Sequence, residues 1–166
     1  MIMEFRANFI QINRTKLENY HQRALAAIAQ IGDQDLNWRP NEESNSIANI
    51  VLHMQGNLAQ RFLTNLKGET DVRNRDREFN AREILTKDEI IHTLDHGFTI
   101  ADTALAELRP EQLDDIVVIM GKDNHVYEMI FNTVTHFCEH VGQIIYIAKL
   151  RSGSDFSALS TQHRKI

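Results

Sequence analysis

The chain has 166 residues, a length that predicts one domain with room for a buried core. Hydrophobic residues make up 42% and charged residues 25%, and a net charge of −5 leaves no basic stripe for nucleic acid. One cysteine excludes an internal disulfide, the N-terminus lacks a signal-peptide core, and no apolar run approaches the ~18 residues of a membrane span. A cytoplasmic protein is expected, with neither nucleic acid nor membrane among its partners.

The first helical period runs from about Met3 to Ile31 through Phe9, Ile10, Leu17, Tyr20, Ala24 and Ile28, with Gly32 placed to end it. The second runs from about Ser46 to Leu66 through Ile47, Ile50, Val51, Met54, Leu58 and Phe62, and Gly68 closes it. The stretch from Lys67 to Leu85 mixes Arg73, Arg75, Arg77 and Arg82 with Asp71, Asp76, Glu78 and Glu83. Mixed signs without a helical or strand pattern predict a solvated loop.

Thr86 and Glu89 form a capping box for a third helix, which continues through Ile90, Leu94, Phe98, Ala101 and Leu105 until Pro110. The β-branched "IVVI" and the turn-forming "GKDN" that follow predict a short hairpin or extended turn. The fourth helix runs from about Tyr127 to Leu150 through Ile130, Val134, Phe137, Val141 and Ile144. These elements predict an all-α fold: a four-helix bundle over residues 1–151, with that extended turn or hairpin before the last helix, and a C-terminal tail over 152–166. The loops are long enough for a crossover connection, so up-down-up-down order does not follow.

Two histidine pairs have the i, i+4 spacing that sets both imidazoles on one side of a helix, a ready clamp for a metal ion: His92/His96 and His136/His140. Helical phase separates them. His92 and His96 fall about 160–200° from the apolar stripe of their helix, which places them in solvent. His136 and His140 fall about 80–120° to one side of theirs, on a flank that can reach a cleft between helices. A metal needs a third ligand, and periodicity leaves two candidates, His53 on the flank of the second helix and His21 nearer the stripe of the first. His125 in the turn and His163 in the tail are weaker candidates. Asn49, Asn57 and Gln143 line the same flanks and are placed to orient a ligand or a bound water. Cys138 lies about 180° from the paired histidines and is expected to be a small core residue.

"HFCEH" also matches the H-x-x-E-H zinc-peptidase signature. That chemistry requires a further acidic ligand downstream, yet the only acid after His140 is Asp155, and Glu139 points to the polar side of its helix. The match is read as chance.

The segments "LNWRPNEESNSIANIVLHMQGN" and "VTHFCEHVGQIIYIAKL" resemble the DinB/YfiT-like superfamily of metal-binding four-helix proteins. The W-x-P stretch, the histidine on the second helix and the H-x3-H-x-G-Q-I string on the last carry the resemblance, which spans about residues 3 to 151. It implies that His53, His136 and His140 hold one divalent metal ion, zinc or nickel first and iron or manganese next, and it selects His53 over His21. It further implies a homodimer. The function it implies is metal-dependent transfer of a low-molecular-weight thiol to an electrophilic small molecule, or related hydrolase or isomerase chemistry. The alternative is a non-catalytic metal- or ligand-binding protein of stress response. No motif names the thiol, the substrate or a catalytic residue.

Overall fold

The computed structural model describes residues 1–80 and 84–157. Arg82, Glu83 and His163, and the tail from residue 158 onward, lie outside the described residues. Helix α1, Ile2–Ile28, buries Ile10, Leu17, Ala24, Ala27 and Ile28 along one stripe. It does not end on a left-handed glycine. Ala29 keeps a helical conformation, and Gly32, with φ −88°, instead caps the N-terminus of a four-residue helix α2, Asp33–Leu36. The fully buried Leu36 is what α2 brings inward.

Helix α3, Ile47–Ala59, starts at Ser46, whose hydroxyl accepts the Asn49 N–H while the Asn49 side chain accepts the Ser46 N–H. It continues as a π-helix over Gln60–Leu66 and stops at Gly68, where φ is +76° and the Gly68 and Glu69 N–H groups donate back into the last turn. The charged stretch that follows is not only a loop: Arg75–Asn80 form a short helix, α4. Helix α5, Lys87–Glu107, has the Thr86/Glu89 capping box. Pro110 then opens a 3₁₀ turn, Pro110–Asp114.

The hairpin before the last helix pairs β1, Ile116–Ile119, with β2, Lys122–His125, in antiparallel register from Ile119↔Lys122 to Ile116↔His125. Its two-residue turn is Met120–Gly121, with φ +50° and +76°. That left-handed pair twists with the strands, so Lys122, Asp123 and Asn124, expected as turn residues, belong to β2. Helix α6, Val126–Ser152, begins where the His125 N–H donates to Glu128. Just beyond it, Phe156 packs partly buried on the core and the Ser157 N–H donates to Gln30, so the first residues of the tail are docked.

One apolar core joins these helices, with Phe62, Phe137, Met54, Leu58, Leu105 and Ile130 fully buried. Phe98 and Phe137 meet edge to face at 4.7 Å. Helix α1 packs along α6 and α5, and α3 packs along α5 and α6. Helices α1 and α3, consecutive among the long ones, make no extended contact among the described residues, so the chain crosses over between them. No described helix is long and apolar enough to cross a membrane. Cys138 corrects an expectation: it is exposed, not core. It follows Phe137, at the centre of the buried arc of α6, by about 100° and so lands on the rim opposite the paired histidines. There it neighbours the Tyr20 hydroxyl, and that contact, followed by burial, raises the Tyr20 phenol above its usual pKa.

Helices α3 and α5 pack tightly at Gly97, where a Cβ would meet the Gln55 Cα at 3.0 Å and the Leu58 Cδ1 at 3.3 Å. Alanine favours a helix by about 1 kcal/mol over glycine. Against a backbone atom that cannot step aside, Gly97→Ala is nevertheless expected to destabilise by about 1–3 kcal/mol. Chemical denaturation checks this; equal or greater stability of the variant would show that the two helices separate freely.

Candidate metal centre

Seven polar side chains are buried among the described residues: Asn13, Ser46, Asn49, His53, Asn57, Glu78 and Thr133. All but Asn13 lie on or beside one seam between α3, α4 and α6, which singles out that seam in a core otherwise apolar. His53 projects into it from α3, and His136 and His140 from successive turns of α6. His53 Nε2 lies 3.0 Å from His136 Nε2, which lies 3.2 Å from His140 Nε2. The ligand atoms of all three lie within 4.8 Å of one another. Their rings stand edge to face, at interplanar angles of 73–86°.

The outer nitrogens decide what the inner ones present. His53 Nδ1 sits 2.8 Å from Glu78 Oε2 and His140 Nδ1 sits 3.0 Å from Gln143 Oε1. Both contacts put the ring proton on Nδ1 and leave Nε2 as a bare lone pair. Two such lone pairs converge on His136 Nε2, which can donate to one of them but not to both. One shared electron-pair acceptor satisfies the cluster. Two nitrogens bound to one ion at about 2.0–2.1 Å, at angles of roughly 90–110°, stand about 2.9–3.4 Å apart. The two spacings at His136 fit that range and the third pair lies within 4.8 Å, so the three histidines could hold a metal ion.

Burial favours the neutral form of two of the donors. It pushes the His136 pKa down from 6.5 to about 4, aided by the charges of His140, His53, Arg73 and Arg61. Burial also lowers His53, against the opposing pull of its hydrogen bond to Glu78.

Glu78 and Arg73 are the residues that sequence reasoning missed. Both were expected in a solvated loop; their side chains are only 7% and 9% exposed. Arg73 grips the carboxylate at two points, Nε to Oε1 at 2.6 Å and Nη2 to Oε2 at 2.7 Å, and its Nη1 donates to Gln60 at 2.9 Å. Its Nη2 also lies 3.1 Å from His53 Nδ1. A guanidinium only donates, so the two groups share Glu78 Oε2 and do not bond to each other. The Asn49 amide donates to the Glu78 carbonyl at 2.9 Å and holds α4 against α3. Gly56 makes room, for a Cβ there would collide with the Glu78 carboxylate. No periodic pattern links residues 73 and 78 to 53, so the sequence carries no signal for this contact. The neighbours Arg75, Asp76 and Arg77 are exposed, as expected of a solvated stretch.

The remaining histidines among the described residues stand apart. His21 bonds Asp95 at 2.6 Å and stacks on Phe98 at 4.2 Å. His92 and His96 are exposed. His125 bonds the Asp114 carbonyl and stacks on Tyr127. Glu139 is 75% exposed and reaches His136 only at Nδ1, 3.9 Å away and on the outer side of the ring, where it cannot serve a water held by the Nε2 atoms. Of the three amides expected nearby, Gln143 orients His140, Asn49 orients α4, and Asn57 faces the adjoining cavity.

A family model described as protein of unknown function, DUF1572, matches residues 4–165. The chain belongs to this family. DUF1572 is part of the DinB/YfiT-like superfamily, which the tryptophan–proline and histidine motifs resembled. No curated protein matches the chain. For this DUF1572 protein the buried Arg73–Glu78 pair leads to a stability test. Glu78→Ala strands a buried guanidinium and is expected to cost about 3–5 kcal/mol, whereas Glu78→Ala combined with Arg73→Met costs less. Denaturation of the three proteins checks this; a double variant weaker than the single one would contradict it.

A second test concerns protons. Between about pH 4 and 6.5 the unfolded chain protonates His136 and the folded one does not. Acid therefore favours unfolding, and the stability present above pH 6.5 is lost as pH falls toward 4. In metal-free protein the melting temperature should rise with pH across this window, more steeply than in His136→Asn. Identical slopes would mean that the ring is not held neutral.

Proposed function

We propose that His53, His136 and His140 hold one divalent metal ion, zinc or nickel in preference to iron or manganese, in a four-helix bundle of the DinB/YfiT-like kind. We further propose that the protein is a transferase joining a low-molecular-weight thiol to an electrophilic small molecule. The convergence of bare Nε2 lone pairs on one point, at the wall of a cavity of about 650 Å³, carries the reading. A set of three histidines leaves coordination positions open toward that cavity, the pattern of catalytic and not structural sites. A divalent ion bound there supplies Lewis acidity, which favours a thiol as its thiolate.

The chain does the rest. Glu78 keeps the His53 proton on Nδ1, Gln143 does the same for His140, and Arg73 holds Glu78 in place. Phe79, Ile119 and Met129 supply apolar wall that excludes water from the reacting groups. Among the described residues no acid and no cysteine lines the cavity. That favours a nucleophile brought by the substrate over water activated by a protein carboxylate. Exposed apolar side chains such as Phe5 and Ile12 of α1 and Phe131 of α6 support a homodimer in the same reading.

Metal content of the purified protein tests the site. About one equivalent is expected in the wild type and in His92→Ala, and a marked loss in His53→Ala, His136→Ala and His140→Ala; equal content in all would refute it. Glu78→Gln should weaken metal affinity about 10–100-fold. Conjugation of monochlorobimane to glutathione, bacillithiol, mycothiol or coenzyme A should require metal and vanish in His140→Ala. Tight stoichiometric metal binding without turnover would instead support a non-catalytic metal-binding protein.

A further inference from the structure

The walls of the histidine cavity carry three arginines, Arg61, Arg73 and Arg75, and, among the described residues, no aspartate or glutamate. In a chain of net charge −5 this is a local reversal of sign. The three cations are not equivalent. Arg73 is consumed by Glu78. Arg75 is exposed and lies over the Phe79 ring, 5.8 Å from its centroid. Arg61 is half-buried, and its one hydrogen bond among the described residues runs from Nη1 to the neutral side chain of Asn65, at 3.1 Å. A guanidinium taken partly out of water normally pairs with a carboxylate or phosphate; among the described residues this one bonds to none, and the charge of Asp71 acts on it without a hydrogen bond or ion pair.

Arg61 follows His53 by eight residues, a little over two helical turns, and lines the same cavity two turns further along. Its charge is felt at His136, whose pKa it helps to lower, so both belong to one electrostatic environment. Its own pKa is lowered, by burial first and then by the neighbouring Arg73, against the opposing charge of Asp71. Between His53 and Arg61 lies Asn57, only 8% exposed, which lines the cavity and makes no side-chain hydrogen bond among the described residues. A largely buried asparagine whose amide opens on the cavity and a half-buried guanidinium, both without a strong partner among the described residues and both in the cavity lining, describe a receptor for a ligand absent from the chain itself.

We propose that this cavity takes a small molecule bearing an anionic group, a carboxylate or a phosphate, and that Arg61 binds that group with Asn57 beside it. Nη1 is engaged with Asn65, which leaves Nε and Nη2 as the free edge of the guanidinium to donate to two oxygens of the anion. The other end of the molecule then faces the histidines. This deepens the function proposed above and rests on it only for what the histidines hold. It narrows the thiol or its acceptor to one that carries an acid.

Two measurements decide it. In metal-free protein, inorganic phosphate at constant ionic strength should raise the melting temperature of the wild type and of Arg61→Lys, but not of Arg61→Gln. In zinc-loaded protein, calorimetry with 3-mercaptopropionate and its neutral amide should give at least about a tenfold preference for the acid. That preference should fall to near parity in Arg61→Gln at unchanged zinc content, persist in part in Arg61→Lys, and change less in Arg75→Gln. No preference in the wild type, a preference that survives Arg61→Gln, or a larger effect of Arg75→Gln would overturn the assignment. If the wild type takes up no zinc, the metal reading fails and the phosphate measurement alone decides the role of Arg61.

Discussion

The chain of contacts from Arg73 through Glu78 to His53 is the constraint on which the site depends. Two ionised side chains and an imidazole are taken out of water together, and each would be costly alone. The geometry meets the cost: the guanidinium spans both carboxylate oxygens, one of those oxygens takes the imidazole proton, and Gln60 accepts from the remaining arm. A hydrophobic trio could fill the same space. It could not fix which nitrogen of His53 carries the proton, and that choice is what turns a buried histidine into a donor aimed at its neighbours.

Much of the local architecture follows from accommodating this chain. Helix α4 exists to deliver Glu78, and its backbone is held by Asn49, a residue that also caps α3. Gly56 is bare because the carboxylate lies over it. The π-helical turns that extend α3 begin at Gln60, the residue that receives Arg73, and carry Arg61 to the cavity wall. Away from this seam the interior is apolar, with Phe62, Phe137 and their neighbours supplying the rigidity that keeps α3 and α6 at a fixed spacing. The three ring nitrogens then hold their separation through the packing of two helices and not through any covalent link.

The cavity combines two features seldom needed in a purely structural seam. Its floor presents electron pairs, from the histidines, and its wall presents positive charge, from Arg61 and Arg75. The two kinds of group recognise opposite partners, a cation on one side and an anion on the other, a few residues apart on the same helix. The hairpin tip at Met120, held in a left-handed conformation, and Ile119 add apolar surface to the lining. A bound molecule would meet a dry wall, a charged wall and a coordinating floor.

The sequence by itself determined what depends on neighbours along the chain. Helix periods, the Thr86 capping box, the glycine stop at Gly68 and the hairpin before α6 are local, and they were legible because a helix repeats every 3.6 residues and a turn is set by two or three side chains. The flank position of His136 and His140 was legible for the same reason, as was the solvent position of His92 and His96. Only the tertiary structure decided the rest. Spacing along one helix cannot say which residue of another will face it, so the place of His53 beside the pair rested on resemblance until α3 and α6 were packed. Rim and core differ by about 100° on a helix, less than the error in judging an arc from composition, and Cys138 fell on the wrong side of that line. Arg73 and Glu78 looked like any solvated charges, because a mixed-sign stretch reads the same whether its charges pair with water or with each other. Burial is a property of what folds over a residue, and what folds over these two lies 20 and 25 residues away in the chain, at His53.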